Sequence, residues 1–170
     1  DATLTAGGPQ DVRGWGRELL GPKIPDFSVD EEEDRVRADD YLPLGGLARW
    51  TASVQLEAPL PFLGRPHGIH LFLDGGRVWT PDDRFLPTAE PLVPGELDDE
   101  IRLGTGIGVS FATPVGPVQL DLGYKLNPSP LDLRDPGDVA RAIEAEEPLE
   151  SVREHGIKRW HLHLSMGGIR

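Results

Sequence analysis

Four histidines and a run of alternate glycines are the residues of this chain that most invite a chemical reading. His67 and His70 lie three positions apart, His161 and His163 two. Residues two apart on a strand share a face, as a pair of zinc ligands would, but no third ligand stands at a recognisable spacing. Interior or rim histidines are the preferred reading. Gly104, Gly106 and Gly108 superficially suggest a phosphate-cradling loop, yet no helix follows them and their period of two puts all three on one strand face. They are read as structural. The acid pairs Asp82-Asp83 and Asp98-Asp99 offer hard oxygen ligands suited to calcium, but they sit in acidic stretches expected to be solvated loops. No Ser/His/Asp or Cys/His arrangement stands out, and the chain has no cysteine. Neither covalent catalysis nor a thiolate metal site is expected, so the chain is read as non-enzymatic and without a cofactor.

A net charge of −12 over 170 residues argues against a nucleic-acid partner, whose phosphates require a basic face. The acid is concentrated in 30–34, 82–83, 96–100 and 144–150. The chain contains no run of about 18 apolar residues, which excludes a membrane-spanning helix. A barrel strand needs only about 10 residues of alternating character, so the membrane remains open. The chain starts at Asp1 without a recognisable leader and is read as a piece of a longer protein.

Five segments alternate with a period of two, the signature of strands with two unlike faces. In 46–58, Ala48, Trp50, Ala52, Val54 and Leu56 oppose Arg49, Thr51, Ser53, Gln55 and Glu57. In 67–79, Ile69, Leu71 and Leu73 oppose His70, Phe72 and Asp74. In 101–113, Ile101, Leu103, Ile107, Val109 and Phe111 oppose Arg102, Ser110 and the three glycines. In 118–126, Val118, Leu120, Leu122 and Tyr124 oppose Gln119, Asp121, Gly123 and Lys125. In 157–166, Trp160, Leu162, Leu164 and Met166 oppose Arg159, His161, His163 and Ser165. A soluble core would rarely face three glycines, so the aliphatic sides are the ones that must meet an apolar medium.

The connections alternate too. Pro59 to Pro66 and Thr113 to Pro117 are short, whereas 80–100 and 127–156 are long and acidic. Short turns on one rim and long loops on the other is the layout of outer-membrane barrels. The second long loop contains a short helix expected from Asp138, as cap, to Ala145. Trp79, Trp160 and Tyr124 lie near strand ends, as in an interfacial girdle, while Trp50 falls nearer a strand middle. Five strands cannot close a membrane barrel, whose open edges would leave unpaired backbone groups in lipid. The remaining strands are expected from elsewhere.

Local motifs sharpen the reading. Val12-Arg13-Gly14-Trp15, preceded by Gly7-Gly8 and followed by Leu20-Gly21-Pro22, resembles the loop-six motif of the outer-membrane protein assembly factor family (BamA/TamA type), usually written V-R-G-F/Y. Phe72-Leu-Asp74-Gly-Gly76-Arg-Val-Trp79 is similar to that family's F-x-D-x-G-x-x-W strand. Gly104-Thr-Gly106-Ile-Gly108, Thr113-Pro-Val-Gly-Pro117 and Leu120-Asp121-Leu-Gly123-Tyr124 are similar to its G-x-G-x-G, S/T-P-x-G-P and L-D-x-G-Y signatures. Leu56-Glu57-Ala-Pro-Leu resembles the end of the strand that follows loop six, and His161 to Gly167 resembles the final barrel strand. The resemblance covers nearly the whole chain, in order. Trp15 departs from the usual Phe or Tyr. The ending Gly168-Ile-Arg170, which is not aromatic, leans toward TamA-like members.

The resemblance implies an all-β fold: an antiparallel transmembrane β-barrel, with 1–45 as loop six and 46–170 as the last five strands of a sixteen-strand barrel with two long extracellular loops. It implies that Arg13 folds back into the lumen and meets acids at Glu57 and Asp74, satisfying both through its planar fork as lysine could not. The three glycines would let loop six approach closely. It also implies a lateral seam at the last strand, Trp160, Leu162, Leu164, Met166 and Gly167, opening toward the bilayer, with Gly weakening the pairing at its end. The implied partners are the lipid bilayer, unfolded outer-membrane proteins, and the remaining strands and periplasmic domains of a longer chain. The implied function is insertion and assembly of outer-membrane proteins. Rival readings are a two-partner secretion pore of the same superfamily, a barrel anchor for a fused enzyme, and a soluble β-sandwich binding module.

Overall fold

The alternating segments pair with their sequence neighbours, an antiparallel meander being the simplest way for consecutive strands to satisfy their backbone groups. The computed structural model describes residues 4–30, 35–60, 67–79, 101–114 and 116–166, with backbone alone at 28–30 and 35–37. Strands β1 (Lys23–Asp30) and β2 (Arg35–Pro43) form a hairpin. Strands β3 (Ala48–Pro59), β4 (Gly68–Trp79), β5 (Arg102–Thr113), β6 (Gly116–Lys125) and β7 (Trp160–Met166) form a five-stranded antiparallel sheet in sequence order.

Register decides which side chains share a face. One cross-strand row runs Leu56, Leu71, Ile107, Leu122, Leu162, and the next runs Ala58, Ile69, Val109, Leu120, Leu164. The first row is exposed throughout, with Leu56 at 72% and Leu162 at 64%. Among the described residues no second sheet or helix layer covers this side. The opposite side carries His70, Phe72, Asp74, Asp121 and His163, all buried. A soluble domain hides its aliphatic face and wets its polar one. Here the order is inverted, as a strand wall between lipid and a polar interior requires.

Four differences from the sequence expectations have local causes. The hairpin β1–β2 was hidden because Pro25, Asp26, Asp39 and Asp40 disfavour a strand reading; a register shift between Pro25 and Phe27 accommodates the proline. Helix α1 (Pro136–Glu144) starts earlier than Asp138: its cap is Asp135, which accepts from the Gly137 N–H at 3.1 Å, with Pro136 entering the first turn. Strand β7 starts at Trp160, since 156–159 coil into a 3₁₀ turn. Trp50 is the third residue of β3, so it joins Trp79, Tyr124 and Trp160 at the long-loop rim. The loops 61–66 and 80–100, with Asp82-Asp83 and Asp98-Asp99, and the seam residue Gly167 lie outside the described residues.

Candidate functional site

The polar side of the sheet is closed by the loop 4–22. Gly7 and Gly8 adopt φ of 108° and 116°, a region that disfavours side chains. A Cβ on Gly7 would meet the Gly16 carbonyl, so the loop can fold on itself only with glycine there. The Asp11 N–H donates to the Gly8 carbonyl at 3.1 Å and the Trp15 N–H to the Val12 carbonyl at 3.2 Å. Ala6, Val12, Trp15 and Leu20 then pack as a small core on Val78 of β4. This core fixes the height at which Val12-Arg13-Gly14-Trp15 meets the wall.

Arg13, 4% exposed, points along that wall. Its Nε donates to Asp74 Oδ2 at 2.8 Å and its Nη2 to Asp74 Oδ1 at 2.9 Å, a two-pronged pair; its backbone N–H adds a third bond to Oδ2 at 3.0 Å. Nη1 donates to Gln55 Oε1 at 2.8 Å and Nη2 to Ser53 Oγ at 3.1 Å, and the Ser53 hydroxyl donates to Asp74 Oδ1 at 2.6 Å. The guanidinium lies 3.6 Å from the centroid of the Phe72 ring. A second carboxylate, Asp121 on β6, stands 3.8 Å from Nη1 and pairs at 2.6 Å with Nε2 of His70. Charge-assisted bonds of this kind are strong where water is excluded.

The expected Arg13–Asp74 pair is therefore present. The expected Arg13–Glu57 pair is not: Glu57 is exposed on β3, opposite His70, one inward-facing position beyond Gln55. Loop six enters too near the long-loop rim for its guanidinium to bond Glu57, and Gln55 and Ser53 take the Nη donors instead. We expect Glu57→Gln to shift stability by no more than about 0.5 kcal/mol, read as an unchanged denaturation midpoint. A shift as large as that of Asp74→Asn would contradict the geometry.

The glycine series also divides. A Cβ on Gly104 would press the Gly14 backbone, at 3.2 Å from its nitrogen, so this position does admit the loop. Gly106 and Gly108 instead make room for β4 side chains. The Phe72 ring covers Gly106, and His70 with Asp121 fills the space over Gly108. The glycine that sequence reasoning passed over is Gly123 of β6, whose face meets the Arg13 carbonyl. Its membership of the same inward row as Gly106 was the available signal. Of the histidines, His163 hydrogen-bonds the Arg13 carbonyl through Nε2 at 2.9 Å. On β7, Trp160, Leu162, Leu164 and Met166 are exposed, and among the described strands β7 pairs only with β6.

Trp15 ends the motif on a different partner. Its Nε1 donates to Asp132 Oδ2 at 2.8 Å, in the β6–β7 connection, and Lys23 ion-pairs with the other oxygen of Asp132. Burial works against this carboxylate's charge, but Lys23 and Lys125, with hydrogen bonds from Lys23 and the Ser129 N–H, outweigh it and hold its pKa below the usual aspartate value. A depressed folded-state pKa stabilises above the unfolded value and is lost as pH falls through the folded one. The difference in protease protection of this loop between the unsubstituted protein and Asp132→Asn should thus stay constant from about pH 7 to about pH 4 and shrink only in stronger acid. Disappearance of that difference between pH 7 and 5 would refute this assignment.

An aliphatic outer face, a polar inner face and a loop pinned inside by a buried arginine are the attributes of a membrane β-barrel wall plugged from within. The family model for the Omp85 superfamily domain matches residues 3–137, and the chain belongs to that superfamily. It is 28% identical over 141 residues to the outer membrane protein assembly factor BamA of Neisseria meningitidis serogroup B, a match covering 74% of this chain and 16% of that protein. The chain thus spans a small part of that relative's length, and its place is the bacterial outer membrane. The soluble-sandwich alternative is overturned by this membership and by the bare aliphatic face.

Proposed function

We propose that this segment is the closing end of a sixteen-strand barrel that inserts and folds other outer-membrane proteins, without nucleotide or cofactor. What supports this most is the Arg13 clamp, a single loop residue joined to β3, β4 and β6, together with the similarity to an assembly factor. The clamp keeps the loop inside the lumen and stiffens the β3–β6 wall. At the other side β7 presents a short edge with exposed apolar residues. That edge is the seam, where pairing with the first strand of the barrel is weak and an incoming strand adds by main-chain hydrogen bonds.

The test is reconstitution of the whole protein in lipid vesicles with an unfolded barrel substrate, following the heat-resistant folded form on gels. Faster substrate folding than in protein-free vesicles is expected, with Arg13→Ala abolishing the gain. Steady ion conductance with export of a soluble passenger, and no acceleration of folding, would instead assign the two-partner secretion role.

A further inference from the structure

Arg13 and Trp15 attach loop six to different elements. The Arg13 side chain bonds β3 and β4 and stands near Asp121 of β6, whereas Trp15 reaches the connection that leads into β7. Trp15 is 1% exposed, so its indole N–H needs a partner. Asp132 is buried too and accepts from Trp15, from Lys23 and from the Ser129 N–H, the last at 2.7 Å. Beside this group the Lys125 ammonium lies 5.8 Å from the Trp15 ring centroid and donates to the Lys158 carbonyl at 2.9 Å. Lys158 belongs to the 3₁₀ turn that delivers the chain to Trp160. The His155 N–H donates to the Leu133 carbonyl, one residue from Asp132, at 2.7 Å. These contacts therefore run from the loop-six tryptophan to the 3₁₀ turn that precedes the last strand.

We propose that Asp132 is a positioning residue for the seam: by clasping the Trp15 indole N–H and Lys23, it ties loop six to the start of β7 and limits how far that strand frays. A phenylalanine at position 15 would fill much of the same space and lose the tie. His163, bonded to the Arg13 carbonyl, makes a second attachment lower on the same strand. Release of loop six at Asp132 thus frees the upper part of β7 while the Arg13–Asp74 clamp on β4 stays closed. The consequence for assembly rests on the seam reading above. The placement of β7 does not, and it is measured without any substrate.

Hydrogen exchange of the whole protein in lipid nanodiscs tests it, comparing peptides from β7 and β4. Trp15→Phe and Asp132→Asn should each accelerate β7 exchange about tenfold, the scale of one lost hydrogen bond to a charged group, and leave β4 unchanged. The double variant should exceed neither single one. In the unsubstituted protein the Trp15 indole N–H should exchange slowly, a measurement that needs no variant to fold. Fast exchange of that proton, additive effects, or acceleration spread equally over β4 and β7 would overturn the proposal.

Discussion

Arg13→Ala should release loop six from the barrel wall at a cost of about 3–5 kcal/mol, the range for removing one partner of a buried ion pair. The reason is what stays behind. Asp74 is fully enclosed, and without the guanidinium and the altered loop backbone it keeps only the Ser53 hydroxyl of its present partners. Asp121 loses its nearby cation but keeps His70 and Gln119, so the damage should concentrate at Asp74. Arg13→Lys restores a charge but not the two-pronged geometry or the reach to Gln55, and should recover less than half of the loss. The check is tryptic cleavage in loop six of the membrane-embedded protein, together with the temperature at which its compact gel form is lost. In a double-mutant cycle Arg13→Ala and Asp74→Ala should couple by about 2 kcal/mol or more, near the upper end for residues sharing a network. Additivity within about 0.5 kcal/mol would sink the clamp as the loop's anchor.

The second large effect is expected at a residue with no side chain. A Cβ at Gly123 would collide with the carbonyl carbon and oxygen of Arg13 and crowd the Gly14 Cα. All three are backbone atoms, so no rotamer change relieves the overlap, and either the loop lifts or β6 bends. Overpacking of this kind costs about 1–3 kcal/mol. It should also break the His163 bond to the same carbonyl, loosening β7 as well as the loop. Gly104→Ala meets the loop at the much longer distance of 3.2 Å and should cost less. Gly156→Ala, where nothing lies within 4 Å of the added carbon, is the neutral control. A Gly123→Ala protein as resistant to protease and heat as the Gly156→Ala protein would show that the loop does not rest on β6.

Much of this architecture was legible before any coordinates. Period-two alternation names both the strands and their two faces, because a pleated strand sends successive side chains to opposite sides whatever the rest of the chain does. It placed Leu71, Leu122 and Leu162 together and Asp74 opposite them. The family resemblance, not the alternation, implied that Arg13 meets Asp74 and Glu57, of which the structure pairs it with Asp74. Where elements begin was less legible: β7 and α1 start away from their expected positions because a 3₁₀ turn and a proline-assisted cap leave the periodic pattern intact.

Partner choice was decided by the tertiary structure alone. Gln55 and Glu57 lie on the same inward face, and alternation cannot tell which stands level with Arg13. That level follows from how the loop core of Val12, Trp15 and Leu20 seats on Val78, a contact between segments about sixty positions apart. The same holds for Asp121 beneath Arg13, for Gly123 under its carbonyl and for the Trp15–Asp132 clasp across 117 positions. A local period fixes the direction in which a side chain points. Its neighbour across the lumen depends on register and on the depth of an inserted loop, which only the folded chain sets.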